Sequence, residues 1–239
     1  MTINRLIDIL QYGSESIGLN LSPGIYKAFE KYYDFLSEKG RNVNLTAISG
    51  VEDVAKLHFL DSISLINTYH FSGARIIDIG SGAGFPGVPL KIIDPSIDLT
   101  LLDATGKRID FLSELCSILE IASTCIHDRA EEASRKSEFR EKYDIALSRA
   151  VARLNILCEL CLPFACVGGA FIAMKTYDSD DELCEANDAI EALGGRFEKC
   201  IDYVIPETNI LHRAIIIHKI ESTPVEFPRK YAKILNRPL

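Results

Sequence analysis

Apolar residues in the first third of the chain recur at helical spacing. Ile3, Leu6, Ile7 and Leu10 fall at i, i+3, i+4 and i+7 and draw one stripe along a helix. Ser22 and Pro23 open a second helix, with Ser22 placed to cap and Pro23 at a first helical position where its missing N–H is no loss. Ile25, Phe29, Tyr32, Tyr33 and Leu36 continue that stripe until Gly40 ends it. Ser49 and Glu52 have capping-box spacing and predict a third helix running to about Tyr69. From Ala74 the period changes. The runs ARIIDIG, DLTLLDA, STCIHD, YDIALSR and GGAFIAMK read as short strands, separated by helical patterns such as Ile109, Leu112, Cys116 and Leu119. This alternation predicts βαβ units and a parallel sheet covered on both faces. The last two runs, FEKCIDYVIP and LHRAIIIHKI, are joined only by residues around Glu207 to Ile210, too few for a crossover helix, so they predict an antiparallel hairpin at the sheet edge. The expected architecture is α/β and Rossmann-like, a seven-stranded, mostly parallel sheet with an antiparallel terminal hairpin. An N-terminal helical cap is expected over 1–70, the sheet domain over 71–222 and a basic tail over 223–239.

Composition narrows the class without changing that picture. A chain of 239 residues that is 47% hydrophobic and 25% charged can bury an ordinary globular core. No apolar run approaches the roughly 20 residues of a membrane-spanning helix, and MTINRLIDILQYGSES lacks the shape of a secretory signal, so no membrane association and a cytoplasmic location are expected. The cysteines at 116, 125, 158, 161, 166, 184 and 200 are odd in number and scattered through apolar stretches, as reduced packed thiols would be. Cys158 and Cys161 form the one CxxC, and the neighbouring Cys166 has no paired Cys or His, so no metal site is expected. The net charge of −8 argues against a protein that coats nucleic acid through a broad field. A local basic surface stays open. Residues 227–239 carry Arg229, Lys230, Lys233 and Arg237 and no acid, which reads equally as a solvated tail or as part of such a surface.

The candidate chemistry lies after the first strand, in IIDIGSGAGFPG, where glycine lets the backbone turn sharply and approach a ligand. Two readings compete. Gly82, Gly84 and Gly87 fit the dinucleotide pattern GxGxxG, with Asp103 about 20 residues on to bind ribose hydroxyls. The same stretch also reads as Asp78 followed by Gly80, Gly82 and Gly84 at alternate positions, similar to the loop of class I S-adenosylmethionine-dependent methyltransferases. Asp78 favours the second reading, because a carboxylate there repels a pyrophosphate but suits a ligand end carrying an ammonium and a sulfonium. A nucleophilic Ser81 is disfavoured, since Ile79 and Ala83 stand where a nucleophile elbow needs glycines. His58, Asp61 and Ser62 share one helix face, which is poor relay geometry for a catalytic triad.

NLTAIS at 44–49, HFLDS at 58–62, DIGSGAGFPGVPLKI at 78–92 and LLDATGKRIDFL at 101–112 together resemble the bacterial small-subunit ribosomal RNA guanine-N7 methyltransferase family, also called the glucose-inhibited division protein B family. HDRAEE at 127–132, SRAVA at 148–152 and the terminal FPRK extend the resemblance over nearly the whole chain. It implies methylation of N7 of a guanine in 16S ribosomal RNA within the small ribosomal subunit, with S-adenosyl-L-methionine as cofactor. It also implies that Gly80 and Phe85 lie along the cofactor, that Asp103 holds its ribose, that Ala130 and Glu131 frame the adenine, and that Arg149 stands between cofactor and RNA. Two departures touch the expected RNA surface: EKGRNVNLT lacks the tryptophan the family often has before NLT, and Lys175 is followed by Thr176 where a glycine is common.

Guanine N7 offers a lone pair with no proton to remove, so displacement at a sulfonium methyl needs alignment and no base. An RNA substrate calls for basic residues at the carboxyl ends of the strands, where Lys107, Arg108, Arg149, Arg153 and Lys175 are expected. Arg149 and Lys175 are the foremost candidates for the catalytic site, and Asp78, Gly80, Gly82, Phe85, Asp103, Ala130, Glu131 and Arg149 for cofactor binding. His58, Asp61 and Ser62, met by Asn44 and Thr46, are read either as a buried network pinning the cap to the sheet or as RNA contacts. The alternatives are an NAD-dependent oxidoreductase, a non-catalytic RNA- or ribosome-binding protein with the same fold, and a small-molecule methyltransferase. The acidic net charge further predicts a preference for assembled ribonucleoprotein over naked RNA.

Overall fold

The computed structural model describes residues 2–39, 48, 50–149 and 152–239. Two helices, α1 (Thr2–Ser16) and α2 (Pro23–Lys39), come first, as their apolar stripes predict. Leu6, Ile9 and Leu10 of α1, and Phe29, Tyr32, Phe35 and Leu36 of α2, are buried. The third helical stretch starts at Val51 after Gly50; Gly40 and Ser49, expected to end the second helix and cap the third, lie outside the described residues. It is not the regular helix the spacing predicts. It passes from α3 (Val51–Val54) through a π-helical turn (Ala55–Leu60) to α4 (Asp61–Ser64) and a 3-10 turn at Leu65–Asn67. A π turn inserts an extra residue into the helical ladder, a feature found mostly at functional sites.

The sheet has seven strands: β1 (Arg75–Ile79), β2 (Asp98–Asp103), β3 (Ser123–His127), β4 (Tyr143–Ser148), β5 (Ala165–Thr176), β6 (Gly195–Val204) and β7 (Leu211–Lys219). Their order is β3-β2-β1-β4-β5-β7-β6. The pairings from β3 through β5 are parallel, while β7 runs antiparallel between β5 and β6. The expected seven-stranded sheet with a terminal hairpin is thus observed. Strand alternation sorts the core into two faces. Ile76, Leu99, Leu101, Ile145, Leu147, Ile172 and Ile216 pack with the N-terminal helices, α5 (Gly87–Ile93) and α6 (Gly106–Ile118). Ile77, Leu102, Ala146, Phe171, Ile215 and Ile217 pack on the other face, with α8 (Leu154–Cys161) and α9 (Asp180–Ala192). A 3-10 turn at Leu162–Phe164 follows α8, and the short α7 (Ala130–Ala133) and α10 (Tyr231–Asn236) complete the described helices. Among the described residues no helix is long and apolar enough to cross a membrane.

This topology fixes where a ligand can sit. β1 lies between β2 and β4, so the crossovers diverge on either side of it and leave a crevice outside the carboxyl ends of the strands.

Candidate functional site

The backbone leaves β1 through Gly80, Gly82 and Gly84, with φ of 73°, 58° and 103°. All three values lie in the left-handed region that glycine adopts without strain. At Gly84 a Cβ would lie 2.7 Å from Tyr32 Oη and 2.8 Å from Val88 Cγ2, so glycine lets α2 and α5 close directly on the loop. Tyr32 Oη seals that contact by donating to the Ala83 carbonyl at 2.5 Å. At Gly80, by contrast, a Cβ would meet nothing within 4 Å: this side of the loop faces open space. Asp78 is fully buried beneath the loop, and its Oδ2 accepts the Gly87 N–H at 3.0 Å. Its Oδ1 has no partner among the described residues. Burial, opposed by the Gly87 bond and by Arg149, pushes this carboxyl up to about 7.

Next to Gly80 a cavity of about 300 Å³ opens at the strand ends. It stands at the lower end of the size range of small-molecule sites, about 300–1,000 Å³. Ile79 and Ser148 line it from the ends of β1 and β4, Gly80 from the loop after β1, Asp103 from β2, Ala130 and Glu131 from α7, and Leu157 and Leu160 from α8. Asp103 is preset by its neighbours: Oδ1 accepts Thr105 N–H at 2.8 Å, and Oδ2 accepts Gly82 N–H at 3.0 Å. A carboxylate has about four acceptor positions, so capacity remains for a diol after Arg108 is counted at 3.4 Å. Burial pushes the Glu131 carboxyl up from the ordinary range. An apolar slot with an open glycine and a held carboxylate fits a nucleoside, and the unpartnered Asp78 oxygen lies beneath the loop, outside the slot itself.

A second cluster lies on the cap side of the loop. Phe85 stacks with Tyr32 and with His58, with ring centroids at 5.3 and 4.5 Å, and the Arg149 guanidinium stands 4.9 Å from its centroid. Arg149 donates to the Leu57 carbonyl in the π turn at 3.2 Å and to Asp61 Oδ2 at 3.3 Å, and it lies 3.2 Å from His58 Nδ1. Nδ1 also lies 3.1 Å from the Leu57 carbonyl; it accepts from the guanidinium in one neutral tautomer and donates to that carbonyl in the other. Burial first, then the Arg149 charge, pushes His58 down to about 4, which keeps the ring neutral at pH 7. Asp61 Oδ1 receives Tyr203 Oη at 3.0 Å and lies 2.9 Å from His212 Nδ1. Burial and Asp61 raise the Tyr203 phenol well above its ordinary value, so it stays a donor. Ser62 Oγ donates to the His58 carbonyl at 2.6 Å. His58, Asp61 and Ser62 are therefore joined in a buried network that ties the cap to β4 and the terminal hairpin; Asn44 and Thr46, expected to join it, lie outside the described residues.

Of the residues singled out from the sequence, Gly80, Asp103, Ala130 and Glu131 line the cavity, whereas Asp78, Gly82, Phe85, Arg149 and Lys175 lie outside its lining. Asp78 and Gly82 shape the loop from beneath, and Phe85 and Arg149 form the second cluster. Lys175 is nearly buried, donating to the Ala152 carbonyl at 2.7 Å and pairing with Glu182 at 2.6 Å. Arg153 pairs with Glu185. Residues after 222 are not a free basic tail: the Arg229 backbone N–H and Nε reach the buried Glu159 carboxylate at 2.7 and 2.8 Å. Tyr203, His212 and Glu159 escape sequence reading because they meet their partners only in three dimensions; Tyr203 is 142 positions from Asp61.

Comparison with known proteins gives a consistent picture. A family model described as rRNA small subunit methyltransferase G matches residues 25–211. A protein named ribosomal RNA small subunit methyltransferase G from Lachnoclostridium phytofermentans is 45% identical, with 95% of each chain covered. One of the same name from Alkaliphilus oremlandii is 44% identical over 98% of this chain and 99% of its own. Among solved structures, the mitomycin 7-O-methyltransferase is similar with a TM-score of 0.55 at 15% identity, over 83% of this chain and 69% of its own. The TYW2 protein of M. jannaschii, solved in complex with AdoMet, has a TM-score of 0.50 at 11% identity, over 67% of this chain and 77% of its own. At such identities these two likenesses show a shared fold.

Proposed function

The chain belongs to the rRNA small subunit methyltransferase G family, and on that premise we propose that it methylates N7 of a guanine in 16S ribosomal RNA within the small ribosomal subunit. It is an S-adenosyl-L-methionine-dependent rRNA methyltransferase; a nicotinamide-dependent oxidoreductase and a non-catalytic binder are not favoured. The observation that carries the site assignment is the cavity running from Gly80 past Asp103 to Ala130 and Glu131, with the Arg149 cluster across the glycine loop.

Bound there, S-adenosylmethionine supplies an electrophilic methyl group on a sulfonium sulfur. In this assignment Gly80 would let the chain approach the ligand, Asp103 would hold the ribose, and Ala130 and Glu131 would frame the adenine. Asp78 holds the Gly87 end of the loop and places negative charge beneath the cationic end. Arg149, one-fifth exposed, offers guanidinium donors to O6 or a phosphate of the entering guanosine. N7 needs no deprotonation, so these residues align and none acts as a base. Lys175 acts through Ala152 and Glu182 by fixing the segment after β4.

The assignment separates two substitutions. Asp103→Ala should weaken S-adenosylhomocysteine binding by calorimetry at least tenfold. Arg149→Ala should leave that affinity within about threefold and lower the methylation rate about 10²-fold, the cost of a misplaced substrate. Equal loss of cofactor affinity in both variants contradicts the division of roles.

A further inference from the structure

Among the described residues, the cavity wall contains one aromatic side chain, Tyr231, from the C-terminal helix α10. The segment carrying it is firmly docked. Arg229 sits on buried Glu159, Arg140 donates to the carbonyls of Thr223 and Phe227 at 2.7 and 3.0 Å, Arg135 donates to that of Glu226 at 2.9 Å, and Ile234 is fully buried. The Arg129 guanidinium stands 5.6 Å from the Tyr231 ring centroid, and its Nη1 lies 3.8 Å from Glu131 Oε1. The segment that forms the far wall is thus anchored on both sides of Tyr231, at Arg229 and at Ile234.

The sheet order says which end of the cavity this is. Gly80 follows β1, Asp103 ends β2, and Arg129, Ala130 and Glu131 follow β3, the outermost parallel strand. With a ribose at Asp103, the base lies on the β3 side, beside Tyr231. We propose that Tyr231 contacts the cofactor, supplying an aromatic surface for its adenine and making α10 part of the cofactor site. Every base has a π-face, so an aromatic ring at this wall holds it without hydrogen-bond readout, and a guanidinium against the ring keeps the ring in place. This inference rests on the reading of the cavity as the S-adenosylmethionine site.

The test uses S-adenosylhomocysteine and adenosine on the full chain. The protein contains no tryptophan, so Tyr231→Trp introduces a single indole that reports on this wall. Both ligands are expected to quench its fluorescence, whereas free methionine does not. By calorimetry, Tyr231→Ala weakens both ligands about tenfold while Tyr231→Phe stays within twofold. The inference is overturned by wild-type affinity in Tyr231→Ala with an unresponsive indole. If the variant instead raises only the KM for the ribosomal substrate, the ring contacts RNA and the inference is equally overturned. If the wild-type protein binds no S-adenosylhomocysteine, the cofactor reading of the cavity falls, and this inference with it.

Discussion

Arg149 is held beside the Phe85 ring by the Leu57 carbonyl, His58 and Asp61, which all come from the third helical stretch, at the π turn and the residue after it. Its orientation therefore depends on Asp61, which Tyr203 and His212 fix in turn. Asp61→Asn should lower the methylation rate about tenfold through lost alignment, with S-adenosylhomocysteine affinity unchanged; a fall in that affinity instead would mark Asp61 as part of the cofactor site. Asp78 gives a pH dependence. Its carboxyl is raised to about 7, so the stability it contributes is complete below the ordinary carboxyl range and is lost as pH rises through about 7. Ligand binding runs the other way, because the ammonium on the amino-acid end of the ligand favours the ionised carboxyl. Affinity for S-adenosylhomocysteine should rise between pH 6 and 8 (about one unit either side of that value), and Asp78→Asn should flatten the profile while raising the Tm at pH 8. A flat wild-type profile would remove Asp78 from cofactor binding.

The C-terminal element shows what sequence periodicity conveys and what it omits. Its basic residues read as a tail, yet Arg229 is 13% exposed and bonded to a Glu159 side chain that is 1% exposed, which turns the segment into a wall of the cavity. Breaking a buried pair from one side costs about 3 kcal/mol. Glu159→Ala should accordingly lower the Tm by about 6–12 °C in a chain of this size and also weaken S-adenosylhomocysteine binding. An unchanged Tm would mean that the segment docks without this pair. The strands were legible as short apolar runs, because both faces of the sheet are covered and neighbours such as Ile76 and Ile77 are each buried, on opposite faces. The π turn at Ala55–Leu60 was not, since the apolar stripe through Phe59 and Ile63 looks the same in a regular helix. In the site, Gly80 and Asp103 follow from the loop pattern and the end of β2. Phe85 was expected to lie along the cofactor, but it packs with Tyr32, His58 and Arg149, a packing outcome that no spacing encodes.

At the scale of the whole molecule, a net charge of −8 gives the protein no general attraction to phosphate. Several basic side chains near the strand ends are also already paired: Arg108 with Asp103, Arg153 with Glu185 and Lys175 with Glu182. Recognition must then come from shape and a few donors, and an assembled subunit presents a fixed shape where free RNA does not. Protein-free 16S RNA should be methylated at least tenfold more slowly than small subunits and lose activity more steeply as salt rises; equal rates would contradict this. The central claim is tested most directly by incubating the protein with methyl-labelled S-adenosylmethionine and small ribosomal subunits that lack the modification, then mapping the label. Label confined to N7 of one guanine in 16S RNA, and lost with Arg149→Ala, is the predicted result. Label on another atom, or none despite measurable cofactor binding, would contradict it.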